Sequence, residues 1–363
     1  MKDPPLQSWW VFCFPPSFRV TNSILTPPVP ANKPPKMITE HVNERQAARG
    51  LVIAAFAAVY LVWGSTYLGI RFAVETLPPF LMGGARFLCA GLTLYVVLRW
   101  RGTPAPARAT WWNAALVAAL LLGIGNGGVN WAEQKVSSGM TALIIAGTPV
   151  WFSLFDWLRP GGTRPSLQTV LGIAVGFAGV AILVSSRPGS GGERADPSAV
   201  AALVAASIAW AIGSLFAKYS AQPRSTFMNA AQQMIAGGTL LTLTGVAAGE
   251  AATLDWAKVS PRSIAAFMYL TFVGSLVGFT AYAWLLKATT PARASTYAYV
   301  NPVIALFLGW ALGGESMNVS MLVAAVVIVL GVVIITTRRT PVRRDVPTGS
   351  RAKIEPSPLS TDT

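Results

Sequence analysis

Arg86 is the residue in this chain best placed to do chemistry, because it interrupts an apolar run that extends from Pro79 to Leu98. A guanidinium inside a hydrocarbon-spanning helix costs about 2.5–3.5 kcal/mol on insertion scales and must face the protein interior. There it can attract a carboxylate or another anionic group, or pair structurally with backbone carbonyls and a neighbouring helix. The sequence leaves both readings open. Two carboxylates, Glu133 and Asp156, stand near the ends of apolar runs and are the candidates for carrying a coupled proton. Asp156 can also pair with Arg159, one turn away. Around these charges, Trp63 and Trp210, well inside their segments, offer faces on which an organic solute could stack; Tyr297 and Tyr299 bring hydrogen-bonding groups into an otherwise apolar segment, and Tyr67 and Tyr282 are further cavity candidates. Asn126, Asn130, Gln233 and Asn301 add amides to otherwise apolar segments. Trp131 and Trp284 lie near segment ends, where anchoring at the lipid–water boundary is the expected role. Pro149 and Pro302 each remove a backbone donor, and a helix bend is the expected consequence.

Other chemistry is thin. The single histidine is His41, near the N-terminus, and the two cysteines, Cys13 and Cys89, give no disulfide framework. Cys89 falls inside an apolar run and is read as a small core-type residue. No Cys/His cluster has metal-ligand spacing, no Gly-rich loop precedes Lys-Ser or Lys-Thr, and no nucleophile, acid and base are grouped. Neither an enzyme nor a cofactor- or metal-dependent protein is expected.

The elements that must position these residues are membrane helices. Of the 363 residues 53% are hydrophobic and 12% are charged, against about 25% charged in an ordinary soluble domain. An α-helical span needs about 20 mostly apolar residues, and backbone groups in lipid must be satisfied within the segment. Apolar segments recur at 51–71, 79–98, 112–131, 139–158, 167–185, 198–217, 227–248, 263–286, 292–312 and 319–337. The expected fold class is therefore an all-α polytopic membrane protein with ten transmembrane helices. Glycines inside the spans, such as Gly172, Gly176 and Gly179, are read as packing positions. Residues 1–48 are rich in proline and read as a disordered tail, or as sequence upstream of a start at Met37; residues 339–363 read as a second tail. Most of the 28 Lys and Arg fall in alternate loops and in both tails, which puts both termini in the cytoplasm by the positive-inside rule. The net charge of +14 is a topology signal, and nucleic-acid binding is not needed to explain it.

The chain also repeats itself. Trp63, Arg71, Arg86 and Gly91 recur as Trp210, Lys218, Gln233 and Gly238 at a separation of 147, and Trp131 and Thr148-Pro149 recur as Trp284 and Asn301-Pro302 at 153. The halves are 49–186 and 197–338. Five spans in each is an odd number, so the second half enters the membrane from the opposite side. Such inverted repeats are expected to work by alternating access around a site near the midplane.

The motifs Trp63-Gly64-Ser65-Thr66-Tyr67, Ala85-Arg86-Phe87, Gly125-Asn126-Gly127 and Trp131-Ala132-Glu133-Gln134 resemble those of EamA-type members of the drug/metabolite transporter superfamily. So do Ala281-Tyr282, Trp284-Leu285-Leu286, Thr296-Tyr297-Ala298-Tyr299-Val300-Asn301-Pro302 and Gly314-Glu315. The resemblance implies two inverted five-helix repeats, a bacterial inner-membrane location, and secondary export of small metabolites such as amino acids, or of drugs. A facilitative uptake permease or uniporter on the same scaffold is the alternative, and a membrane-embedded enzyme a more remote one. The expected partners are a small-molecule substrate and the lipid bilayer, with a homodimer left open. One departure stands out: the first-half loop, Arg159-Pro160-Gly161-Gly162-Thr163, lacks the Gly-Glu pair of the second half.

Overall fold

Short polar breaks punctuated by Pro, Ser, Asp and Gly divide the chain into helices. The computed structural model describes residues 35–159, 162, 166–185, 196–220, 225–289, 294, 297–317 and 319–336; the side chains of 35–49, of Tyr299 and of a few positions in the fifth and tenth helices are outside the description. Residues 1–34, Thr296 and the expected C-terminal tail also lie outside it. The long helical segments are α1 (Pro35–Ala73), α2 (Pro79–Trp100), α3 (Arg108–Ala132), α4 (Ser138–Leu158), α5 (Leu167–Ser185), α6 (Pro197–Tyr219), α7 (Thr226–Ala247), α8 (Pro261–Ala288), α9 (Tyr297–Gly313) and α10 (Val319–Thr336); a short helix, Glu250–Thr253, and a 3₁₀ turn, Trp256–Lys258, lie between α7 and α8. No strand occurs among the described residues. Helix α1 begins well before residue 51, at Pro35.

The starts follow local chemistry. Asp196 caps α6 by accepting from the backbone N–H groups of Ser198 (2.7 Å) and Ala199 (3.2 Å). Ser137, Ser225 and Ser260 cap α4, α7 and α8 in the same way. These acceptors satisfy backbone donors that have no partner in the first turn. Pro79, Pro197 and Pro261 supply a preset φ at the first helical turn.

Six segments are long and apolar enough to cross a membrane: Gly50–Ala73, Pro79–Trp100, Arg108–Ala132, Ser138–Leu158, Pro197–Tyr219 and Pro261–Ala288. Val300–Gly313 and Val319–Gly331 are shorter apolar stretches. The expectation of ten full spans is thus met in part. In α7 the apolar run is diluted by Asn229, Gln232 and Gln233, which turn inward and are buried. Outward faces are apolar, as at Leu92, Val96, Val303, Phe307 and Val326. Cys89 is on such an outward face, so it is not the core residue that its setting suggested.

Exchanging the two halves maps the packing onto itself. Helix α2 packs on α7 and α5 on α10; α1 packs on α8 and α9 as α6 packs on α3 and α4. At the α2–α7 crossing the repeat mates Gly91 and Gly238 let the backbones meet. A Cβ on Gly238 would lie 2.7 Å from the Leu88 nitrogen, and one on Gly91 would lie 2.9 Å from that of Ile235. At the α5–α10 crossing a Cβ on Gly331 would lie 2.5 Å from the Gly176 nitrogen. The symmetry reaches single hydrogen bonds. Arg71 donates to the Glu133 carbonyl at the end of α3 (2.6 Å), and its mate Lys218 donates to the Leu286 carbonyl near the end of α8 (2.8 Å). Both basic groups sit where helix dipoles favour cations.

Candidate functional site

A cavity lies between the halves, with about 630 Å³ of unoccupied space including its open mouth. Helices α1, α2, α3, α4, α6, α8 and α9 all contribute to its wall. Two of them depart from α-helical winding at the same repeat-equivalent place: Ala119–Asn126 in α3 and Leu270–Phe279 in α8 are π-helical. Such stretches re-aim side chains and recur at functional sites. Here they bring Gly125, Asn126, Gly274 and Phe279 to the cavity wall.

Arg86 lines the cavity and is 4% exposed. Its Nε donates to the Ser275 hydroxyl (2.7 Å) and its Nη2 to the Asn126 Oδ1 (3.4 Å), while Nη1 has no partner. The guanidinium carbon stands 4.5 Å from the centre of the Phe87 ring. Among the described residues no carboxylate lies within ion-pair distance of it.

The same cavity is bordered by an aromatic cluster built by both halves. Trp63 contacts Tyr282 (centroids 4.8 Å apart), Tyr297 (5.1 Å) and Trp210 (5.5 Å). The Tyr282 hydroxyl accepts from Trp210 Nε1 (3.1 Å) and shares a hydrogen bond with Ser214 (2.7 Å). Trp63 Nε1 donates to the Gly274 carbonyl (3.4 Å). Asn301 is buried, with its amide nitrogen donating to the carbonyls of Tyr60 (3.2 Å) and Tyr297 (3.1 Å).

The structure sorts the residues expected from sequence. Trp63, Tyr67, Arg86, Asn126, Trp210 and Tyr297 line the cavity together. Tyr282 does not line it and instead backs the tryptophans. Asn130 is not in the lining either: fully buried, it donates to the Pro79 carbonyl (3.3 Å) and holds the start of α2. Gln233 lines a separate, smaller pocket with Asn229, Phe279, Tyr282 and Lys287. Asn301 supports the wall from behind, and the side chain of Tyr299 lies outside the described residues. Pro149 starts a second helical segment within α4 after a break at Ala146–Gly147, whereas Pro302 lies inside a continuous α9. Asp156 pairs with Arg159 (2.6 Å), away from the cavity lining.

Glu133, just past the end of α3, is fully buried and neither carboxyl oxygen has a hydrogen-bond partner. Burial, then the nearby Glu315, pushes its pKa well above the ordinary carboxylate value, against the pull of Arg71 and Arg86. It does not line the cavity.

Sequence reasoning missed Phe279, Ser275, Ser207 and Thr148. Phe279 is the repeat mate of Asn126 at a separation of 153, so the offset alone could have found it. Ser207 and Thr148 share a hydrogen bond (2.8 Å) across α6 and α4, a pairing that no spacing reveals.

Comparison with known proteins agrees with this architecture. Residues 49–185 and 197–337 each match the family model described as the EamA-like transporter family. An uncharacterized inner membrane transporter of Escherichia coli (strain K12), YedA, is 40% identical over 286 residues, covering 78% of this chain and 90% of that protein. The uncharacterized transporter YvbV of Bacillus subtilis (strain 168) is 24% identical over 286 residues, with the same coverages. Protein PecM of Dickeya dadantii is 24% identical over 277 residues, covering 76% of this chain and 88% of that one. A crystal structure shares the fold with a TM-score of 0.57 at 19% identity, covering 80% of this chain and 98% of that chain.

Proposed function

From the premise that this chain belongs to the EamA-like transporter family, we propose that it is a ten-span secondary transporter of the inner membrane that exports small organic solutes by alternating access. The observation that carries this reading is the cavity itself: it is walled by both repeats, and Arg86 in it has a free donor. Helices α5, α7, α9 and α10 complete the ten spans, five in each half, so the halves run in opposite directions through the bilayer. The excess of Lys and Arg in alternate loops supports cytoplasmic termini. The name of the Escherichia coli relative supports the inner-membrane location, and outward transport follows the family resemblance.

Counterflow with purified protein in liposomes tests the proposal. A labelled solute should accumulate against an unlabelled pool, and energised inside-out vesicles should take it up faster than right-side-out vesicles. Absence of counterflow across carboxylates, amino acids, sugars and dyes would remove the transporter reading. Faster uptake by right-side-out vesicles would reverse the direction.

A further inference from the structure

The central cavity presents a charged donor without presenting a charged acceptor. Several buried side chains among the described residues carry unpartnered polar atoms, but of these only Arg86 lines the cavity. The lining contains no Asp or Glu. Of its hydroxyls, those of Thr66, Thr148 and Ser207 are engaged within the wall: Thr66 donates to the Trp63 carbonyl (2.8 Å), and Thr148 donates to the Ile145 carbonyl (2.6 Å) besides sharing a bond with Ser207. Asn126, which also lines the cavity, has its oxygen held by Arg86 Nη2 and so offers its amide nitrogen as a donor.

We propose that the transported solute is an organic monocarboxylate with an aromatic or apolar body and no ammonium group. Its carboxylate sits on the free Nη1 edge of Arg86 beside Asn126, and its body lies against Trp63, Trp210 and Phe279. This substrate class rests on the transporter reading of the cavity.

The physical case is one of charge and satisfaction. A buried guanidinium with neutral partners lacks the charge-assisted, fork-shaped pairing that a carboxylate supplies. The arrangement that rewards a carboxylate penalises an ammonium. An α-ammonium would lose its water beside a fixed positive charge, with no carboxylate in the wall to receive it. Glu133 does not supply one, because it is buried behind the lining and its burial favours the uncharged acid. Contact with the tryptophan faces offsets only part of that cost. A dianionic phosphate would bring twice the charge to a single guanidinium. The cavity therefore separates an aryl carboxylate from the amino acid bearing the same side chain. This sharpens the expectation of amino-acid-like cargo by removing the amino group.

The test uses four probes with one body: 3-phenylpropanoate, phenylalanine, phenethylamine and 3-phenylpropanol. Binding to the full-length protein in detergent is read by tryptophan fluorescence and by Tm, and transport is read separately by counterflow. The carboxylate should bind about 30-fold or more tightly than the zwitterion and the amine, as expected when a buried charge is left unpaired or opposed. Arg86→Lys should keep the preference for the anion at lower affinity. Asn126→Asp should abolish carboxylate binding while the apo protein keeps or raises its Tm, because the new carboxylate occupies the guanidinium. Equal affinity for phenylalanine and 3-phenylpropanoate overturns the proposal, as does absence of binding by all four probes. Selective carboxylate binding without counterflow of any probe upholds the anion site and removes the transporter reading instead.

Discussion

Trp63 and Trp210 meet edge to face at the cavity wall, with ring centroids 5.5 Å apart and planes at 86°. They are repeat mates, so the exchange of halves brings each residue onto its own image. Both line the cavity, and Tyr282 and Tyr297 complete the cluster around Trp63.

That contact should be energetically coupled. Trp63→Phe, Trp210→Phe and the double variant, unfolded in detergent, should give a coupling of about 0.5–1.5 kcal/mol. Strict additivity would show that the rings are neighbours without interacting.

One end of the bundle is fastened by two carboxylates. Gly249 (φ 79°) and Gly314 (φ 65°) turn the chain through the left-handed region, a conformation that costs glycine nothing. Glu250 then accepts from the N–H groups of Phe80 (3.2 Å) and Leu81 (2.8 Å), and Glu315 from those of Ser138 (2.8 Å) and Gly139 (3.2 Å). Each latch joins the second half to a helix start in the first. Glu315→Ala should cost about 1–3 kcal/mol, the penalty for orphaned buried donors. In a background lacking Cys13 and Cys89, it should expose Ser138→Cys to an impermeant maleimide. Unchanged labelling would mean that the latch does not hold this end shut.

The pH response of stability should come largely from Glu133. A carboxyl whose folded pKa is raised favours folding while it is protonated, and that contribution is lost as pH climbs above the unfolded value of about 4.5 towards the folded one. Glu315, Arg71 and Arg86 are the charges that act on it. Wild-type Tm in detergent should therefore fall as pH rises from 5 towards 8, and Glu133→Gln should flatten that slope. An identical slope in the variant would exonerate Glu133.

Close backbone contact at the α2–α7 crossing predicts intolerance of bulk. Gly238→Leu would drive a side chain into the Leu88 nitrogen and the Gly84 carbonyl, which lie 2.7 and 2.9 Å from the added Cβ. Overpacking of this kind costs about 1–3 kcal/mol or more. The lipid-facing Leu243→Ala, on the same helix, is the control and should leave Tm and membrane yield nearly unchanged.

Orientation has its own test. Fluorescent-protein fusions at either terminus should glow, and alkaline phosphatase fusions there should be inactive. The reverse pattern would invert every side assignment.

How much of this was legible can be judged residue by residue. Arg86 stood out because a charge within an apolar run is costly unless it faces inward, and it does. Trp63 and Trp210 stood out because they recur at the repeat offset well inside apolar runs, Tyr297 because it brings a hydrogen-bonding group into one, and Tyr67 only through the motif Trp63-Gly64-Ser65-Thr66-Tyr67. Asn130 and Gln233 carried the same signal and sit elsewhere, because sequence spacing places a residue at a depth and not on a face. The π-helical turns in α3 and α8 rotate the wall by an amount that no hydropathy pattern records.

The sequence alone determined that the chain is an all-helical membrane protein made of two related halves, because bilayer thickness and backbone satisfaction leave few options for a chain so apolar. It also established the correspondence of Arg71 with Lys218 and of Gly91 with Gly238, since duplication is written in spacing. Only the tertiary structure decided that Arg86 keeps one donor free, that Glu133 is sealed away from the cavity, and that Trp63 touches its own image. Each of those depends on atoms from helices far apart in the chain meeting within a few ångströms, and such distances arise from packing and not from local order.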